Sequence, residues 1–173
     1  MRKMKWLFVP IMIVGLSCVR ADDTFDSVTI SRDQLNARPK PEPAKPVPVI
    51  MAQGKKPKAF KRDDFWLEKI NLKGDILGLR VTSGGGCKPH IYKLVVLSPF
   101  KESSPVEVNL LLSHNANNDP CEAIVGKNLK FDLTPLKTAF KKAYPGSKGE
   151  IRLNIFGRDP QKPLKQVTYT FSS

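Results

Sequence analysis

A chain of 173 residues, 40% hydrophobic and 26% charged, has room for one ordinary domain plus extensions. Its fifteen prolines exclude a uniformly helical fold, because proline lacks an N–H and clashes inside a helix. The formal charge of +13 is uneven: residues 36–62 hold eight Lys/Arg against Glu42, while residues 63–173 hold sixteen basic and eleven acidic groups. That partition argues against a nucleic-acid-binding face on the C-terminal part.

Met1 to Lys5 is positively charged and Trp6 to Val19 is an apolar run. Fourteen residues at 1.5 Å each span about 21 Å, short of the ~30 Å hydrocarbon core, so residues 1–21 are predicted to be a signal peptide. Val19 and Ala21 occupy the −3 and −1 positions of a cut before Asp22. The competing reading is lipid attachment at Cys18, where Gly15 and Leu16 stand in swapped order relative to a bacterial lipobox. Either way the expected destination is periplasmic or extracellular, with no transmembrane span in the mature chain. Cleavage after Ala21 leaves Cys87 and Cys121 as the mature cysteines.

Residues 22–63 are predicted to be a disordered linker, acidic first and then basic. Residues 22–35 carry four aspartates against Arg32 and few apolar groups. From Arg38 to Pro48 a proline stands at nearly every second position, which favours an extended polyproline II spacer. This Pro-Lys/Glu alternation resembles, in composition and over a dozen residues, the envelope-spanning linker of the TonB protein family, and it implies no activity. Lys55, Lys56, Lys58, Lys61 and Arg62 then form a basic cluster, expected to touch anionic lipid or envelope polymer, or merely to keep the spacer extended.

Residues 64–173 read as short apolar runs separated by Gly, Pro and Asn. Strands are expected at residues 65–72 and 75–82, the latter ending in a flexible Ser83–Gly86 turn, and at 91–97 and 106–112. A weaker pair broken at Gly126 is expected over 122–131, and a hairpin over 150–156 and 166–171. One helix is expected, with Thr134 as N-cap, Pro135 in the first turn, Leu136 and Phe140 on one face, and Pro145-Gly146 as the stop. The result is a mainly all-β fold, an immunoglobulin-size β-sandwich with one short helix, with a flattened barrel as the alternative. Pairing Ser98 with Val106 sets Val96 against Val108, Leu94 against Leu110 and Tyr92 against Leu112, all on one face, and leaves the opposite face wetter. One step further, His90 faces His114, the chain's two histidines.

Cys87 and Cys121 lie just beyond the open end of that hairpin, and in an exported domain two cysteines point to a disulfide. The histidines read as a locally hydrogen-bonded pair closing the core face. The alternative is a zinc or copper site of His90 and His114, with the cysteines as further ligands. Asn115, Asn117 and Asp119 alternate as in a calcium loop but lack its Gly and distal Glu, so they read as turn formers. No nucleophile elbow or carboxylate pair stands out. The leading expectation is a non-enzymatic exported domain binding an envelope protein, an anionic envelope polymer or a lipid surface. A periplasmic metal-binding or redox protein is the alternative.

Overall fold

The computed structural model describes residues 45–172 apart from 53 and 99. The predicted signal peptide, Cys18 and the linker as far as residue 44 lie outside the described residues.

Alternation with period two carries most of the described chain into strands. In β4 (Ile76–Gly85) the side chains of Leu77, Leu79, Val81 and Ser83 are buried while those between them are not. β4 lies between β3 (Trp66–Lys73) and β7 (Ala123–Asp132), both antiparallel to it, and a two-residue strand, β1 (Val47–Pro48), adds in parallel to the far end of β7. The second sheet runs β2 (Ile50–Met51), β5 (Ile91–Val96), β6 (Val106–Asn115), β8 (Gly149–Phe156), β9 (Lys165–Phe171). Within it β5–β6 and β8–β9 are antiparallel, and β6–β8 is parallel. The fold is thus mainly β, two sheets and one short helix, as expected.

Leu77, Leu79, Val81 and Phe131 from the first sheet meet Leu94, Leu110, Leu112, Ile151, Leu153 and Ile155 from the second. Each fully buried aliphatic side chain contributes about 1.5–3 kcal/mol relative to exposure. The helix α1 (Thr134–Ala143) closes one end through Leu136 and Phe140.

Four expectations are corrected. First, the folded polypeptide starts before residue 64. Residues 47–51 pair with both sheets, and Ala52 and Phe60 pack against Val95 and Leu111 on the outer face of β5 and β6. The reason is visible in the unbroken apolar runs 94–97 and 110–112. A strand apolar on both faces needs cover on both, and the segment taken as spacer supplies it.

Second, the β5–β6 register is two residues off: Val96 pairs with Leu110, Leu94 with Leu112 and Tyr92 with His114. The arm from Val96 to Lys101 is two residues longer than the arm from Glu107 to Leu110, since Lys101 bridges Glu107. Burial fixes only the parity, and the parity holds. Third, residues 123–132 form one continuous strand, and Ser83, Gly84 and Gly85 pair with it instead of turning. Fourth, Thr134 lies inside the helix. The capping oxygen is Asp132 Oδ1, which accepts from Thr134 N (2.9 Å) and Thr134 Oγ1 (2.6 Å).

Candidate functional site

The disulfide end of the sandwich gathers most of its buried polar chemistry. Parallel pairing of β6 with β8 stops at Leu111, so the last residues of β6 have no strand on that side among the described residues. Lys61–Asp64 takes the place: His114 N donates to Lys61 O (3.2 Å), Asp63 N to His114 O (3.0 Å) and Ala116 N to Asp63 Oδ2 (2.7 Å). Burial of His114 against this strap is what builds the site.

His114 is 1% exposed, with its ring Nδ1 at 3.2 and 3.1 Å from the carbonyl oxygens of Asp63 and Asp64. Carbonyls only accept, so Nδ1 carries the proton, and in the neutral ring Nε2 is left as an acceptor. His90 Nδ1 lies 3.0 Å from it and fills that role as donor. Tyr92 stacks on the His114 ring at 4.3 Å, and Phe65 meets it edge-on at 5.9 Å. Burial pushes the His114 pKa below the usual imidazole range and raises that of the Tyr92 phenol.

On the other side of His90, Nε2 lies 3.3 Å from Asp119 Oδ2. That oxygen accepts from the backbone N–H groups of Gly86 (2.8 Å), Cys87 (3.0 Å) and Lys88 (2.8 Å), and Oδ1 accepts from Cys121 N (3.0 Å). The N–H groups of Cys121 and Lys88, joined by those of Gly86 and Cys87, hold the carboxyl far below the usual carboxylate range. One side chain therefore organises both cysteine loops, and Cys87 and Cys121 form a disulfide between them with Cα atoms 5.9 Å apart. Lys88 Nζ adds bonds to the carbonyls of Asn117 and Asn118, both at positive φ, as suits turn-forming asparagines.

Two of the glycines before Cys87, Gly85 and Gly86, are constrained. Gly85 has φ +130°, and a Cβ there would stand 2.6 Å from His90 Nε2 and 2.8 Å from Asp119 Oδ2. Beside the network an open cleft of about 260 Å³ is lined by Ser83, Lys88, His90, Tyr92, Val125 and Lys127. Lys127 Nζ donates to His90 O (3.0 Å) and lies 5.7 Å over the Tyr92 ring.

The predicted site residues come together in part. His90 and His114 meet, diagonally instead of directly opposite, beside the cysteines. All four of their ring nitrogens lie within hydrogen-bond distance of a protein atom, so metal coordination has to displace existing partners. The closest metal-compatible group among the described residues is Cys87, Asp119 and Cys121, with ligand atoms within 4.8 Å of one another, and there the two sulfurs are bonded together. Lys55, Lys56, Lys58 and Lys61 are exposed on the domain, and Arg62 Nη1 donates to Arg158 O (3.0 Å). The sequence reading took Asp119 for a turn former and Ser83 for the start of a flexible turn, and it overlooked Asp63 and Lys127. The further signal at Asp119 is its place two residues from a cysteine.

No protein-family model matches the chain, and no curated protein matches it. Among solved structures, similarity is found to a DUF1344 protein of unknown function from Bacteroides vulgatus, at 19% identity and a TM-score of 0.46, covering 74% of this chain and 57% of that one. A NigD-like immunity protein from Bacteroides caccae is similar at 19% identity and a TM-score of 0.46, covering 74% of this chain and 61% of that one. The chain thus spans about 60% of the length of the structures it resembles, and the likeness is one of backbone arrangement.

Proposed function

We propose that this is an exported, non-enzymatic β-sandwich protein of the bacterial cell envelope that binds a protein or an anionic envelope component. The observation that supports it is the Cys87–Cys121 disulfide. Structural disulfides persist in oxidising compartments and are rare in the cytosol, and the basic, apolar N-terminus reads as an export signal. The exposed lysines at 55, 56, 58 and 61 give the folded domain a basic surface suited to an anionic lipid or polymer.

The test is fractionation of the native source, with thiol alkylation before lysis and mass spectrometry of the N-terminus. The expected result is a chain in the envelope or medium with no alkylated Cys87 or Cys121. Its N-terminus is Asp22 if the soluble reading holds, or lipidated Cys18 if the protein is anchored. An uncut chain in the cytosol with both thiols alkylated overturns the reading. Cosedimentation with anionic vesicles tests the surface, and an unchanged bound fraction after charge reversal of Lys55, Lys56 and Lys58 removes those lysines from it.

A second reading, zinc or copper binding, draws on the convergence of Cys87, Asp119 and Cys121 beside His90. It requires the disulfide open. Calorimetric titration of the reduced protein with either ion, repeated on His90→Ala, gives a weaker site in the variant if His90 is a ligand, and identical isotherms remove it.

A further inference from the structure

Alternation commits the inward positions of β3, β4 and β7 to the core, and their outward positions compose a surface. Gly78 stands within it, opposite Asn71 of β3 on one side and Lys130 of β7 on the other. Two residues along the strands on the same face, Arg80 lies between Lys69 and Asn128. Two residues the other way, Ile76 lies between Lys73 and Asp132. A position without a side chain is thus ringed by four cations, two amides, one isoleucine and one carboxylate. Two open clefts of about 240 and 310 Å³ share Asn71, Gly78 and Lys130 in their walls.

The charges of this ring are poorly answered from within. Asp132, its carboxylate, accepts from Thr134 N and Oγ1 at the helix start. Lys69 stands directly opposite Arg80, a like-charge pair of the kind that weakens a sheet, with Glu68 alone to offset it. Lys73 and Lys130 make no ion pair and no side-chain hydrogen bond among the described residues.

We propose that the pit over Gly78 binds an acidic saccharide, a sugar chain that carries carboxylates as a uronic acid polymer does. The backbone of Gly78, the Ile76 side chain and the aliphatic stems of the lysines give an apolar floor for the C–H face of a sugar ring. Asn71 and Asn128 supply amides, which both donate and accept, as ring hydroxyls require. Arg80 is pinned to the sheet by Glu68 Oε2 (3.4 Å) and Asn128 Oδ1 (3.2 Å), which leaves the lysines to meet the carboxylates. The ring measures about 10 Å across the strands and ~14 Å along them, from ~4.8 Å between strands and ~3.4 Å per residue. Its cations are spread around a rim, which suits a sugar with separate carboxylates better than a lone phosphate, held where donors converge. Further along β3, Trp66 stands 60% exposed on the same face, an aromatic platform for a second ring.

The experiment is calorimetric titration and amide NMR of the full chain with a galacturonic acid oligomer, beside the neutral galactose oligomer of equal length. The acidic oligomer is expected to shift the amides of Asn71, Gly78 and Lys130, and the neutral one to bind at least about tenfold more weakly. Gly78→Thr is the decisive variant. It keeps every charge, suits a strand, and its Cβ meets only Asn71 atoms at 3.5 and 3.9 Å, so the sheet accepts it while the floor is filled. It is expected to bind the acidic oligomer at least about tenfold more weakly, as is Lys73→Glu with Lys130→Glu, whereas Lys55→Glu with Lys56→Glu binds as the parent does. Undiminished binding by Gly78→Thr overturns the proposal, because attraction by charge alone ignores the floor. Equal affinity for the two oligomers, displacement by equimolar inorganic phosphate, or no binding overturns it as well. The proposal rests on the envelope reading for where such a ligand is met, and the two fail apart: a cytosolic chain that binds the oligomer removes the envelope, and an exported chain that does not bind it removes the pit.

Discussion

Replacing Cys87 and Cys121 with serine removes a cross-link between residues 34 apart in sequence. The chain-entropy estimate for a loop of that length is about 3–4 kcal/mol, exerted mainly on the unfolded ensemble. For a domain of this size that corresponds to a fall in Tm of roughly 10–15 °C. The estimate holds only if the native loops stay in place without the bond, and here they have reason to. Asp119 accepts from the backbone of both Cys87 and Cys121, and Lys88 and Asn117 tie the same two loops through carbonyls. The double variant should therefore keep its native NMR spectrum outside residues 85–90 and 116–122 while losing stability. Urea unfolding followed by circular dichroism, with the oxidised parent alongside, measures the difference. Asp119→Asn made in both backgrounds tests the mechanism, since the substitution should be more damaging where no covalent bond holds the loops. A loss under about 1 kcal/mol, or equal effects of Asp119→Asn in the two backgrounds, refutes this account.

Gly85→Ala is expected to lower the melting temperature clearly, because its Cβ meets His90 and Asp119 at a backbone angle that disfavours side chains; Gly84→Ala, with nothing within 4 Å, is the control. His114 gives a pH dependence whose sign is fixed. Its folded pKa lies below the ordinary 6.5, so the unfolded state takes up the proton first, and stability present above about pH 6.5 is lost as the pH falls through the folded value. His90, Asp63 and Asp64 face this ring together with Tyr92 and Phe65, and His114→Gln should flatten the urea midpoint between neutrality and about pH 5. Ala52→Asp should cost about 2 kcal/mol or more by setting a carboxylate against Val95 and Leu111. An unchanged midpoint in that variant would mean the segment is only a spacer.

The strands were legible because burial on one face writes itself into alternation, as in β4 and β8. Register and boundary were not, and for different reasons. Alternation repeats every two residues, so it determines which side chains share a face and says nothing of a two-residue slide. The slide came from extra residues between Val96 and Lys101 that no local pattern marks. The boundary was misplaced because Pro46 and Pro48 look like breakers. In the structure Pro48 belongs to an edge strand, which can do without its N–H group, and Pro46 stands just before it. The apolar triplet Leu110-Leu111-Leu112 already carried the contrary evidence, since one face of a sheet cannot account for three successive buried leucines.

The site was half legible for a related reason. A cysteine pair and a histidine pair are rare residue types whose chemistry can be named from composition, so proximity to the same hairpin end was enough to bring them together. Asp119 and Asp63 are common residues in turn-rich sequence, and their role depends on which backbone N–H groups the fold turns toward them. That placement follows from an interruption of the sheet. β6 loses β8 as a partner after Leu111, and the strap 61–64 has only a few residues of backbone to offer in return, so side chains complete the connection. The polar network at this end therefore stands where ladder hydrogen bonds would otherwise run. The same sandwich leaves Ile124 to Asn128 with no such substitute among the described residues.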